Sequence, residues 1–142
     1  MVSLTRSAAR YVSKLSNKVR HRLDALAARQ EFSGSQGRTL HFLLAQTGDV
    51  FQKDIEEEYS IRPSTATEML KQMEKNGLIR REPVPYDNRL KKIVLTDKAL
   101  QYRDTVVDGL TGLEEDLIRG IPGEDLEVFF RVIQAMLDNL SE

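Results

Sequence analysis

The hydrophobic period of the chain changes once between residues 63 and 95, and this change limits the fold more than any other feature. Past Pro63 apolar residues recur at helical spacing: Ala66, Leu70, Met73 and Gly77 share one face, with Met69 beside it. Pro63 suits a first helical position, where its missing N–H would be unpaired in any case. After Gly77 the helical period stops. Residues 78–82 and 90–95 read as two strands around a loop over 83–89 that is rich in turn formers. A hairpin of that size does not stand alone, so it must belong to a larger helical body.

That body is legible on both sides. Leu4, Ala8, Tyr11, Val12, Leu15, Val19, Leu23 and Leu26 keep helical spacing with no Pro or Gly, which predicts one long helix from Ser3 to about Arg29. Residues 31–35 break it. Ser35 is the expected N-cap of a second helix, which carries Leu40, Leu43 and Leu44 and stops at Gly48. A short third helix is expected from about Phe51 to Tyr59, followed by the turn Ser60-Ile61-Arg62. Beyond the hairpin, Thr96 caps a predicted fifth helix with Ala99, Leu100, Val106, Val107, Leu110, Leu113 and Leu117 on its apolar side, ended by Gly120-Ile121-Pro122-Gly123. A last helix presents Leu126, Phe129, Phe130, Ile133, Met136, Leu137 and Leu140, a stripe broad enough to need a partner surface.

Composition narrows the function. With 142 residues one domain is expected, able to bury a core without disulfides or a structural metal. Zero Cys excludes thiolate zinc sites, iron–sulfur clusters, a nucleophilic cysteine and a thiol switch, and two His offer little metal chemistry. No metal and no cofactor are therefore assigned. The absence of a long apolar run and of a signal-peptide core leads to an expectation of a cytoplasmic protein without membrane contact. The net charge of -1 conceals segregation: residues 1–30 hold 7 basic and 1 acidic side chains, and residues 93–142 hold 4 and 11. Residues 60–92, with 8 basic and 4 acidic side chains, form a basic middle that fits a local polyanion site.

Helix, tight turn, helix and basic hairpin is the order of a winged helix-turn-helix. On the helix after Pro63, Ser64, Glu68, Lys71 and Lys75 lie opposite the core face, flanked by Thr65, Thr67 and Gln72. Short side chains early in the helix permit close approach to a major groove. Arg80, Arg81, Arg89, Lys91 and Lys92 concentrate positive charge on the hairpin, with Arg89 expected at its tip. Asp87 either orients Arg89 by a charge-assisted hydrogen bond or acts as a simple Asx-turn residue, and the two roles are compatible. Glu68 either accepts from a cytosine amino group or pairs within the helix with Lys71 or Gln72. The expected DNA-binding residues are Arg62, Ser64, Thr65, Thr67, Glu68, Lys71, Arg80, Arg81, Asp87, Arg89 and Lys91.

Phe51-Gln52-Lys53-Asp54-Ile55, Ser64-Thr65-Ala66-Thr67, Met73-Glu74-Lys75-Asn76-Gly77-Leu78-Ile79, Asp87-Asn88-Arg89 and Val94-Leu95-Thr96 resemble, in order and spacing, landmarks of the MarR family of bacterial transcriptional regulators. The resemblance covers about residues 35 to 100. Phe51 departs from it where a capping Thr or Ser is common, leaving Asp49 as a substitute cap, and Glu68 departs where Arg or Lys is common. The resemblance implies a mainly α fold with a small β-hairpin wing: a winged helix-turn-helix at 35–96, dimerisation helices at 1–30 and 120–142, and a connecting helix at 97–119. It further implies a triangular homodimeric repressor or activator acting on double-stranded DNA, and a small aromatic or anionic effector in a crevice, for which Arg38, His41, Tyr11 and Tyr102 are candidates beside their ordinary role as core residues. The unpartnered last helix and the opposite charges of the chain's two ends support dimerisation independently.

An enzyme is not expected, since no Gly-rich phosphate loop, nucleophile motif or convergent carboxylate pair is present, and Glu56-Glu57-Glu58 spreads around its helix. The alternative is a winged helix used for protein contact without specific DNA binding, against which the basic hairpin argues.

Overall fold

A computed structural model describes residues 4–28 and 34–141. The expected helix start at Ser3, its end at Arg29 and the break over residues 31–33 lie outside the described residues. A 3-10 turn, Leu4–Arg6, precedes helix α1, Ala8–Ala28. The two are separated because the Ser7 hydroxyl accepts from the Arg10 N–H at 3.1 Å, an N-cap that restarts the helix. Helix α2, Gly34–Ala45, begins one residue before Ser35, so Ser35 lies in the first turn rather than at the expected cap. Its end comes before Gly48, where the Gln46 N–H turns back to the Leu43 carbonyl at 3.2 Å.

Strand β1, Val50–Phe51, runs directly into α3, Gln52–Tyr59. Neither a hydroxyl nor Asp49 caps α3: the Asp54 carboxylate reaches back to accept the Phe51 N–H at 2.8 Å, one half of a capping box. Ser60, at φ 51° in the left-handed region, closes α3 and turns the chain into α4, Pro63–Lys75. The end of α4 is a Schellman turn. Gly77, at φ 74°, donates to the Glu74 carbonyl and Leu78 to the Met73 carbonyl, both at 3.0 Å.

Strands β2, Ile79–Val84, and β3, Asp87–Leu95, pair antiparallel with only Pro85-Tyr86 between them, so the loop expected over residues 83–89 is mostly strand. Pro83 still fits because the register shifts between Pro83 and Val84, where a residue without an N–H donor is tolerated. The hairpin is also braced: β1 pairs with β3, giving a three-stranded sheet in the order β1-β3-β2. This third strand is an addition to the two expected.

The Thr96 hydroxyl accepts from the Ala99 N–H at 3.2 Å, as its cap position requires, and donates to the Gly77 carbonyl at 2.6 Å. The expected fifth helix is two, α5, Asp97–Leu100, and α6, Arg103–Ile118, separated where the Tyr102 N–H takes the tighter bond to the Ala99 carbonyl. Helix α7, Gly123–Leu140, follows Gly120 at φ 77°.

Two compact units result, residues 1–110 and 111–142. In the first, Leu40, Leu43, Leu44, Ile55, Leu70, Met73, Leu78, Ile79, Ile93 and Val106 pack into one core, which seats α4 and the hairpin. In the second, no described residue of α7 is buried, and Phe129 and Phe130 meet edge to face at 5.5 Å between centroids. No described helix is long and apolar enough to cross a membrane.

Candidate nucleic-acid interface

Helix α4 buries Ala66, Leu70 and Met73 against the core, and the remaining faces follow from its 3.6-residue turn. Arg62, Ser64, Thr65, Glu68 and Lys71 are exposed, and none of their side chains has a protein partner among the described residues. The intrahelical pair weighed for Glu68 is therefore not formed. Thr67 differs: it is half-buried, and its hydroxyl accepts from the Gln52 amide at 2.9 Å.

The sheet sorts the basic hairpin residues between its two faces. Arg81 pairs with Ile93 and Lys91 continues the Ile93 face, so these two cations share a side, while Arg89 lies in the irregular stretch past the register shift. Arg80 pairs with Val94 on the other side, as Glu82 does with Lys92. Arg80 and Lys91 are exposed without protein partners among the described residues, whereas Arg81 is half-buried and its Nη1 donates to the side-chain Oε1 of Gln52 at 3.2 Å. The Arg81 Nε is buried and has no acceptor among the described residues.

Arg89 lies in β3, two residues after the strand begins, and its side chain is 91% exposed. Asp87 does both things weighed for it: its Oδ1 accepts the Arg89 backbone N–H at 2.9 Å, and its two oxygens accept from Arg89 Nε and Nη2 at 3.3 and 3.4 Å. The backbone bond first, and the guanidinium second, hold the Asp87 carboxyl below its usual range.

A crevice of about 530 Å³ lies among α1, α2, α3 and α4, lined by Val19, Arg20, Leu23, Arg38, Glu58, Tyr59, Ile61 and Met69. Arg38 already holds Asp24 at 2.6 Å, and the Tyr59 hydroxyl donates to the Arg38 carbonyl at 3.1 Å. Burial pushes the Tyr59 phenol up to about 12, so it stays a neutral donor. Of the four side chains expected in a crevice, only Arg38 lines this one. His41 is 2% exposed on the core side of α2, and burial lowers its pKa; Tyr11 lies exposed on α1. Tyr59 and Met69 were missed because each sits on an apolar helix face, which the sequence reads as core. Among the described residues no group of His, Cys, Asp and Glu could hold a metal ion.

Two helices set by a tight turn, the second outward-facing and followed by a basic braced hairpin, define a winged helix-turn-helix protein. Residues 32–91 match the family model of the MarR family. The transcription regulator MarR from Oenococcus oeni PSU-1 superposes with a TM-score of 0.82 at 26% identity, covering 93% of this chain and 99% of that one. The MepR–DNA complex of S. aureus superposes with a TM-score of 0.78 at 23% identity, over 94% and 98%. An uncharacterised HTH-type transcriptional regulator of Bacillus subtilis (strain 168), YdgJ, is 23% identical over 99 residues, which are 70% of this chain and 60% of that protein's length. The chain is thus similar to the MarR family over residues 32–91 and shares the winged helix-turn-helix fold of a solved MarR regulator.

Proposed function

We propose that this chain regulates transcription as a homodimer that binds a pseudo-palindromic duplex, with α4 in successive major grooves and the wing on the backbone. The observation that carries the reading is the set of outward groups on α4 and the wing that have no protein partner among the described residues: Arg62, Ser64, Thr65, Glu68, Lys71, Arg80 and Lys91, with Arg89 held there by its neighbour Asp87. Polar groups left unpaired at the surface cost little while hydrated and are available to base edges and phosphates. Ser64, Thr65, Glu68 and Lys71 read bases; Arg80, Arg89 and Lys91 contact the backbone, with Arg89 long enough to enter a minor groove. The MepR relative, solved with DNA, lends support through its shared fold.

Dimerisation is assigned to segments 1–30 and 120–142, joined to the winged domain of 35–96 by the helical segment 97–119. Its support is the apolar face of α7, where Phe129, Phe130 and Leu137 are 46%, 50% and 58% exposed. The crevice, whose lining combines apolar side chains with Arg20, Arg38, Glu58 and a neutral phenol, suits a small aromatic effector, or an anionic one that would compete with Asp24 and Glu58 for the arginines. With an effector releasing DNA, the protein acts as a repressor in the cytoplasm.

Selection of bound duplexes from a random pool tests the reading. The expected result is a palindromic consensus with half-site centres ~34–36 Å apart. Recovery of no enriched sequence, with no salt-sensitive retention on any duplex, would reject it and leave the protein-contact role.

A further inference from the structure

Gln52 stands at the first position of α3, outside both α4 and the wing, yet its side chain touches both. Its Nε2 donates to the Thr67 hydroxyl at 2.9 Å and to the Pro63 carbonyl at 3.2 Å, while its Oε1 accepts from Arg81 Nη1 at 3.2 Å. Gln52 is thus half-buried with both ends of its amide engaged. Among the described residues, every side-chain hydrogen bond between the first turns of α4 and strand β2 passes through it. Gln52 is also the one hydrogen-bond partner of the Arg81 guanidinium among the described residues, and the bond is charge-assisted.

The location matters because α4 is anchored unequally. Its C-terminal end is fixed by the Schellman turn into β2, and to the start of α5 by the Thr96 hydroxyl on the Gly77 carbonyl and the Lys98 ammonium on the Asn76 carbonyl at 2.8 Å. The 13 residues of α4 put its other end about 20 Å away, and that end carries Ser64, Thr65 and Glu68. We propose that Gln52 is a positioning residue for sequence readout: through Thr67 and Arg81 it sets the N-terminal end of α4 against the wing, so that base-facing and backbone-facing groups meet one duplex in one register. Thr67 and Arg81 then act behind the interface, holding its two parts together. This inference rests on the DNA reading of the same surface. Positioning errors of about an ångström are costly for directional hydrogen bonds to base edges and nearly neutral for phosphate contacts.

The test uses the full chain, the selected consensus duplex and a shuffled duplex of equal composition, over a range of salt. Gln52→Ala is expected to bind the consensus about tenfold more weakly and the shuffled duplex within about twofold of the wild type. The salt slope stays unchanged because no phosphate contact is lost. The isosteric Thr67→Val is expected to lower discrimination as well, and the double variant to lose no more than Gln52→Ala, as members of one network do. In the free protein, Gln52→Ala should speed amide exchange in β2 and leave the core amides unchanged.

A folded Gln52→Ala that discriminates as the wild type does overturns this inference alone. Equal weakening on both duplexes, whatever the salt slope, also overturns it, since sequence readout would then be untouched. If Gln52→Ala fails to fold, Thr67→Val decides, and unchanged discrimination there overturns the proposal. Wild-type protein that does not tell consensus from shuffled duplex removes the DNA reading itself, and this one with it.

Discussion

Asp87 and Arg89 show how much of a contact is decided within three residues. The carboxylate that closes the turn at the start of β3 also aims the guanidinium, so orientation is supplied by the strand that bears the cation. Since Asp87 is held below its ordinary 3.8, the arrangement persists as pH falls until the lowered value is reached, and only then is Arg89 released. Arg89→Ala is expected to weaken binding to most duplexes alike and to reduce the magnitude of the salt slope by about 0.9 per lost contact, or about 1.8 for a dimer with both wings engaged. Asp87→Ala gives a milder form of the same defect, because the cation remains. Equilibrium titrations across salt concentrations check both, and an unchanged slope in folded Arg89→Ala would take the wing off the DNA.

Helix α4 depends at its end on a single backbone conformation. Gly77 at φ 74° closes the Schellman turn and exposes its carbonyl to Thr96, so one left-handed residue joins helix, sheet and the cap of α5. A Cβ there would meet nothing nearer than Lys98 Cδ at 3.8 Å, which leaves the backbone term alone. Gly77→Ala should therefore cost about 1–2 kcal/mol, and Gly77→Asn less, since Asn visits this region more readily. Urea midpoints with an unchanged m-value measure it. A loss far above that range would mean that the turn carries packing as well. At Gly109 steric crowding replaces the backbone term, because a Cβ would stand 2.9 Å from Leu26 Cδ2.

On the scale of the whole molecule, apolar surface is left over. Tyr11, Val12 and Leu15 of α1 and Phe129, Phe130 and Leu137 of α7 are exposed, a burden that a monomer of this size rarely carries. The chain's ends, basic over residues 1–30 and acidic over 93–142, would also attract one another across two copies. Phe130→Glu places a charge on the α7 face and should convert a dimer at micromolar concentration into a monomer of unchanged helicity, read by sedimentation and circular dichroism. Its consensus affinity should fall toward that of a half-site. A wild-type monomer under the same conditions would overturn the dimer, and with it the palindrome.

The amino-acid sequence by itself determined what local chemistry can carry: the helical stripe past Pro63, the stop at Gly77, the basic hairpin, the Thr96 cap and the apolar face of α7. Periodicity, caps and left-handed glycines act within a turn or a strand repeat, so the order of the winged helix and most outward residues of α4 were legible. Tertiary structure decided whatever joins distant positions. Two residues, Val50 and Phe51, are too few for a period, and only their pairing with Ile93 and Lys92 makes them a strand. His41 and Tyr59 both lie on apolar helix faces, and only packing placed one in the core and the other in a crevice wall. Gln52 reads as one polar residue among several, since its partners Thr67 and Arg81 are 15 and 29 residues away, and no local rule brings an amide to both.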